Sequence, residues 1–120
     1  MTSFPLPFAR VLGIQRIVCS LYGVSHGDML GPDRHRAIAR PRQIAMYLSR
    51  HHTRRSMPEI GRSFGGRDHT TVLHAIRLIG HLRSRDGDLD AEIRILETMI
   101  PPDPTASPIQ DEAPSAEIAA

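Results

Sequence analysis

The chain contains no lysine, no tryptophan and a single cysteine, Cys19. One cysteine cannot form an internal disulfide, which suits a reducing cytoplasm, and we expect Cys19 to be a small core residue. Aromatic residues make up only 4% of the chain, which disfavours the stacking surfaces that bind RNA or single-stranded DNA. No apolar run approaches the ~20 residues that cross a bilayer, so we do not expect a membrane protein.

Charge is divided unevenly along the 120 residues. Residues 31–85 contain twelve arginines and three acids, whereas residues 86–120 contain nine acids and one arginine. A basic block of this kind suits a polyanion such as DNA, although a merely soluble basic surface explains the charge equally well. Arginine can donate two parallel hydrogen bonds to a phosphate or to a guanine edge. The charge pattern therefore indicates nucleic acid without proving it.

Apolar residues recur at helical spacing, and no alternating strand pattern is present. We therefore predict an all-α fold, a small helical bundle that contains a helix-turn-helix together with an N-terminal helix and a basic loop over residues 34–40. Proline suits the first turn of a helix, because the N–H that it lacks has no partner there. The predicted helices are about 8–22, one turn within 25–30, one with Pro41 in its first turn, one from the N-cap Ser56 through Phe64, one from Asp68 to the break at 86–88, and about 89–100.

Composition divides the chain into three parts. We expect residues 1–7 to form a short N-terminal tail and residues 8–100 to form a single helical domain. Residues 101–120 are rich in proline, alanine and acids and carry no apolar pattern. This composition is typical of a disordered acidic tail.

Residues 65–76 are the most informative stretch of the chain. Two glycines separate two predicted helices, Asp68 is placed to cap the second, and His69, Thr70 and Thr71 follow on its first turn. The N–H groups of such a turn favour a phosphate, and its side chains can enter the major groove of DNA. The spacing alone is weak support, since many pairs of helices joined by a short turn bind nothing.

The three polar side chains of this turn match different base edges. Asp68 can accept a hydrogen bond from cytosine N4, Thr70 can contact a thymine methyl group, and His69 can donate or accept at base edges. A plain N-cap is the alternative role for Asp68. We expect Asp68 to cap the helix and to contact a base.

Three motifs in a consistent order resemble a known family. The segments Arg40–Met46 (RPRQIAM), Pro58–Gly61 (PEIG) and Phe64–Ala75 (FGGRDHTTVLHA) closely resemble the C-terminal DNA-binding domain of the bacterial replication initiator DnaA. The resemblance covers about residues 8–100. It implies a helix-turn-helix that reads a DnaA box, a short asymmetric duplex element that a monomer can occupy.

The resemblance also implies individual roles. Arg34 would reach from the basic loop into an A/T-rich minor groove, Arg42 and Gln43 would contact the duplex, and the Asp-His-Thr turn would read bases in the major groove. Thr71, His74 and Arg50 match positions that contact the DNA backbone. The predicted DNA-binding set is Arg34, Arg36, Arg42, Gln43, Arg50, Arg67, Asp68, His69, Thr70, Thr71 and His74.

The chain differs from the initiator in carrying no sign of its ATPase domain. It has no phosphate-binding loop of the G-x-x-x-x-G-K type, and no lysine to complete one. Its seven histidines lack the spacing of metal ligands, and no serine or threonine is matched to a base and an orienting acid. We therefore expect no enzyme, no cofactor and no bound metal.

The sequence thus predicts a stand-alone, monomeric, cytoplasmic and nucleoid-associated protein. It would bind double-stranded DNA at DnaA-box-like sites and regulate replication initiation or transcription, with the initiator or another protein as a further partner. The alternative is a protein-interaction module, in which the same fold docks onto the initiator or another protein.

Overall fold

Residues 10–102 are described by the structure, a computed structural model, and they form six α-helices and no β-strand. The all-α prediction is therefore confirmed for this part of the chain. The predicted tails, 1–7 and most of 101–120, lie outside the described residues. The helices are α1 (Val11–Tyr22), α2 (His26–Leu30), α3 (Arg36–His52), α4 (Met57–Ser63), α5 (His69–Arg85) and α6 (Gly87–Met99).

At four of these helices, the side chain of the N-cap residue accepts a hydrogen bond from a backbone N–H of the first turn. The hydroxyl of Ser25 accepts from the N–H of Asp28 at the start of α2. Ser56 and Glu59 form the predicted capping box at α4, each side chain accepting from the other residue's backbone N–H. Asp68 caps α5 as expected, and Asp86 caps α6. Local sequence therefore determines where these helices start.

The expected start of α3 at Pro41 is wrong. The helix begins at Arg36, and Pro41 lies inside it as a buried residue. The N–H groups of Ile38 and Ala39 both donate to the carbonyl of His35, so the first turn forms ahead of the proline. Pro41 removes one internal hydrogen bond, a local cost that burial of the following apolar residues outweighs. The basic loop is consequently short, and Arg36 and Arg40 belong to α3.

Two other helix boundaries differ from the predictions. The first helix begins at Val11, with Arg10 extended before it, rather than at Phe8, which lies outside the described residues. The last helix begins at Gly87, because the Asp86 carboxylate accepts from two N–H groups of its first turn. The predicted three-residue break is thus the single residue Asp86.

The core lies between α3 and α5, with α1 covering α3 and α4 packing on α5. The stripe predicted for α5 faces it, since Val72, Ala75 and Ile79 are buried and Ile76 and Leu82 partly so. The predicted apolar side of α6 is buried as well. The other fully buried side chains include Ile14, Val18, Met29, Ile44, Met46, Leu48, Ile60, Phe64, Ile93 and Leu96.

A buried amide that the sequence does not reveal joins three helices. Gln15 on α1 is 2% exposed. Its Nε2 donates to the carbonyl of Ser63 at 2.8 Å, and its Oε1 lies 2.8 Å from Nε2 of His26. A buried amide needs such partners, because leaving it unpaired costs more than the hydrogen bonds contribute. Gln15 therefore links α1 to α2 and to the end of α4.

Arg83 connects α5 to the acidic helix α6. It donates to Asp90 at 2.6 Å, to the Tyr47 hydroxyl at 3.3 Å and to Glu97 at 3.4 Å. Its hydrogen bond to Asp90 holds the pKa of that carboxyl below its usual range. Two acids of α6 are therefore paired within the fold.

His51 makes the stability of the fold depend on pH. Its ring packs against Tyr47 with the ring centroids 4.4 Å apart, and burial lowers its pKa from 6.5 to about 4. The neighbouring charges that also act on this pKa are His52, Arg50 and Arg83, which lower it, and Glu97, which raises it.

The folded protein thus keeps His51 neutral at pH values where the unfolded chain protonates it. Between pH 6.5 and 4 the unfolded state binds more protons, so stability falls as pH falls. We expect a loss of roughly 2 kcal/mol, less than the full shift implies, because the ring is partly exposed. Urea unfolding at pH 7.5 and 4.5 measures it. His51→Leu should flatten the dependence, and the exposed His35→Gln should not; a wild-type slope in His51→Leu would contradict the assignment.

Candidate nucleic-acid interface

The helix-turn-helix consists of α4, a glycine turn and α5. Gly65 and Gly66 have φ values of 81° and 79°, in the left-handed region that glycine favours. A Cβ atom on Gly65 would overlap the carbonyl oxygen of Leu30 at the end of α2. The turn is therefore packed directly against the segment that leads into the basic loop.

The first turn of α5 is capped by Asp68 and exposed to solvent. One carboxylate oxygen of Asp68 accepts from the hydroxyl of Thr70 and from its N–H, the latter at 3.0 Å. These two hydrogen bonds lower the pKa of Asp68. Its other oxygen lies 3.7 Å from Nδ1 of His69. Asp68, His69, Thr70 and Thr71 are all exposed, so the turn presents an ionised acceptor beside groups that donate or accept.

A shallow cleft of about 260 Å³ separates α3 from α5 behind this turn. Gln43 of α3 lines it opposite Thr71 and His74 of α5. Arg42 and Arg67 line the cleft as well, so the structure brings five of the predicted residues together. Their polar groups border a depression between two helices, where a phosphate backbone could lie.

In the structure the basic loop comprises residues 31–35, and it carries Arg34 close to Arg67, the residue before the cap of α5. Oδ1 of Asp33 accepts from the N–H of His35 at 2.8 Å and lies 2.6 Å from Nδ1 of the same residue. The backbone hydrogen bond from His35 is the main cause that lowers the pKa of Asp33. Burial lowers the pKa of Arg67, and the nearby charge of Arg34 lowers it further. Arg34 is exposed, as is Arg36 at the start of α3.

The side chain of Arg42 is buried, whereas the resemblance implies that it contacts the duplex. It is 5% exposed, and its guanidinium donates to the carbonyls of Met29 at 2.7 Å, Asp28 at 3.0 Å and Gly31 at 3.1 Å. The last carbonyls of a helix lack partners within it, and Arg42 supplies donors to those of α2. Its expected contact with the duplex stays a prediction.

Arg67 is likewise bonded to the backbone. It donates to the carbonyls of Phe64 and Gly31, both at 2.5 Å, and of Leu30 at 3.3 Å.

Arg50 lies in the last turn of α3, fourteen positions after Arg36, or ~21 Å along the helix axis. The predicted arginines therefore do not form one patch.

Among residues 10–102, no three histidine, cysteine or acidic side chains are grouped so as to hold a metal ion. Within the same range no helix combines the length and apolar character needed to cross a membrane.

Residues 12–79 match the family model of the bacterial DnaA protein helix-turn-helix. The chromosomal replication initiator protein DnaA of Zymomonas mobilis is 58% identical over 83 residues, which are 69% of this chain and 17% of that protein. The DnaA of Rhizobium meliloti is 55% identical over 91 residues, 76% of this chain and 19% of that protein. This chain thus spans about a fifth of the length of these curated relatives.

The fold is also found in a solved structure. The crystal structure of a DNA replication initiation factor superposes with a TM-score of 0.67 at 35% identity, covering 74% of this chain and 27% of that one. The family model covers the helix-turn-helix and not the ATPase domain. With more than half of its residues matched, the chain belongs to the bacterial DnaA helix-turn-helix family.

Proposed function

We propose that this protein binds double-stranded DNA sequence-specifically, at sites that resemble the DnaA box. The observation that carries the proposal is the exposed, capped first turn of α5, residues 68–71, which we call the recognition turn. It lies beside a loop that presents Arg34. By occupying such sites as a monomer, the protein regulates replication initiation or transcription, and it does so without ATPase activity.

Two parts of the protein contact the bases of the site, each in a different groove. Asp68, His69 and Thr70 contact base edges in the major groove, which presents a distinct pattern for each base pair. Arg34 enters the adjacent minor groove, where A/T-rich sequence makes the groove narrow and its potential more negative. Phosphate contacts position the protein without reading sequence. The remaining predicted residues whose side chains are exposed or partly exposed provide them: Arg36, Gln43, Arg50, Thr71 and His74.

Fluorescence anisotropy with two duplexes tests the proposal. One contains a DnaA box, and the other is a scrambled sequence of equal composition, both at near-physiological salt. We expect a preference of ~10³ or more for the box, as for other specific binders. Equal binding to both duplexes, or none, would contradict sequence reading. The fold would then act as a module that docks onto the initiator or another protein, and a pull-down from nuclease-treated extract would identify that partner.

A further inference from the structure

Two arginines from different parts of the chain meet on the backbone where α2 ends. Arg42 comes from the buried side of α3, and Arg67 from the turn of the helix-turn-helix. The carbonyl of Gly31 accepts from Nη2 of both, at 3.1 Å from Arg42 and 2.5 Å from Arg67. Between them the two side chains bond all four carbonyls of residues 28–31. We refer to Arg42, Arg67 and these carbonyls as the arginine clamp.

Placing two guanidinium groups together is unfavourable unless something compensates. Burial, and then the charge of Arg67, lowers the pKa of Arg42. The carbonyl end of a helix carries partial negative charge and provides that compensation. The clamp therefore uses two cations for a structural purpose inside a protein whose exposed arginines are expected to bind phosphate.

The position of the clamp connects the two DNA-reading elements. Arg67 directly precedes Asp68, the cap of the recognition turn, and Gly31 begins the loop that carries Arg34. The backbone contact of Gly65 with Leu30 leaves no room between the turn and the loop. Movement of the loop relative to α5 thus requires the Arg67 hydrogen bonds to break.

We propose that Arg42 and Arg67 are positioning residues, which hold the Arg34 loop in one register with the recognition turn. This inference rests on the proposed function, since it concerns how the two groove contacts are made together. A loop that is ordered before binding loses less conformational entropy on the DNA. The clamp therefore makes the minor-groove contact effective, although neither of its arginines touches the duplex.

The test changes the chemical groups in the minor groove of the DNA and leaves those in the major groove unchanged. Adenines in the A/T-rich part of the box are replaced by 2,6-diaminopurine, which adds an amino group to the minor groove only. Wild-type protein should bind the substituted duplex about tenfold more weakly, a loss typical of one altered base pair. Arg34→Ala should bind both duplexes alike. Arg67→Met should also lose this discrimination, yet still distinguish a base change beneath His69.

A double-mutant cycle separates positioning from direct contact. If Arg67 acts through Arg34, adding Arg34→Ala to Arg67→Met should produce no further loss. Additive losses, with the slope of log affinity against log salt reduced by about one, would instead make Arg67 a direct phosphate contact and overturn the clamp. Arg16→Met, at an exposed arginine of α1, is the matched control and should keep wild-type discrimination.

A DNA-free measurement keeps the clamp testable if the proposed function fails. In the free protein, the N–H of Gly31 donates to the Asp28 carbonyl and that of His35 to Asp33. Arg67→Met should raise hydrogen exchange at these two amides ~10-fold while the amides of the α5 core exchange as in wild type. Unchanged exchange at Gly31 and His35 would overturn the clamp. Loss of box preference in wild-type protein would refute only the proposed function. Arg42→Met is the second clamp variant for the same exchange measurement. Circular dichroism confirms that each variant is folded.

Discussion

Replacing Gly65 with alanine should destabilise the protein by ~2–5 kcal/mol. An L-residue in the left-handed region costs ~1–2 kcal/mol, and the φ of Gly65 is 81°. The added methyl group would also overlap the Leu30 carbonyl oxygen. This oxygen cannot simply move aside, because it accepts a hydrogen bond from Arg67 at 3.3 Å. Forcing such a contact typically costs a further ~1–3 kcal/mol.

Gly66 provides a control with nearly the same backbone. Its φ is 79°, and a Cβ atom there would meet nothing within 4 Å. Gly66→Ala should therefore cost only the ~1–2 kcal/mol of the left-handed conformation. Urea unfolding followed by circular dichroism at 222 nm gives both free energies. Equal losses in the two variants would mean that the turn and the end of α2 are not in contact.

Replacing His69 with alanine should weaken binding to a DnaA-box duplex by ~1–3 kcal/mol, with little effect on a scrambled duplex. His69 lies on the exposed first turn of α5, and its side chain is 56% exposed. Its removal should change the free energy of unfolding by less than ~0.5 kcal/mol. The loss of affinity for the box duplex would therefore reflect a lost contact with the DNA and not a less stable protein. The expected result follows because only the box offers the base edge that His69 contacts. Thr70→Ala should behave in the same way.

Arg50→Ala is the comparison variant for this experiment. A phosphate contact carries no sequence information, so this change should weaken binding to both duplexes about equally. It should also reduce the slope of log affinity against log salt by about one. Anisotropy titrations at several salt concentrations measure both effects. If His69→Ala lost affinity equally for box and scrambled DNA, base reading by His69 would be wrong.

The clearest sequence predictions concern local hydrogen bonds and apolar periodicity. The capping box of Ser56 and Glu59, the cap at Asp68 and the turn at Gly65 were all predicted and are all present. Each depends on residues within a few positions of one another. The buried stripe of α5 was predicted equally well, because helical spacing alone determines which side chains share a face. The DNA contacts of this turn stay predictions.

The errors lie where distant residues decide the outcome. Pro41 indicated a helix start, but packing of α3 in the core extends the helix to Arg36. The resemblance implied that Arg42 contacts the duplex and gave no sign that its side chain is buried; only the carbonyls of α2 explain this burial. Gln15 gave no signal, because its partners lie 11 and 48 positions away.

By itself, the sequence determined the all-α class, the starts of α2, α4 and α5 and the glycine turn before α5, because caps, glycine turns and apolar spacing act over short distances along the chain. The family was predicted from the resemblance of three motifs. Only the tertiary structure decided which arginines face solvent and which hold the backbone. An arginine is buried when carbonyls from another helix satisfy its donors, and the sequence does not show which carbonyls the fold brings to it. Arg34 and Arg67 thus differ in environment: Arg34 is exposed, whereas Arg67 donates to carbonyls at the end of α2.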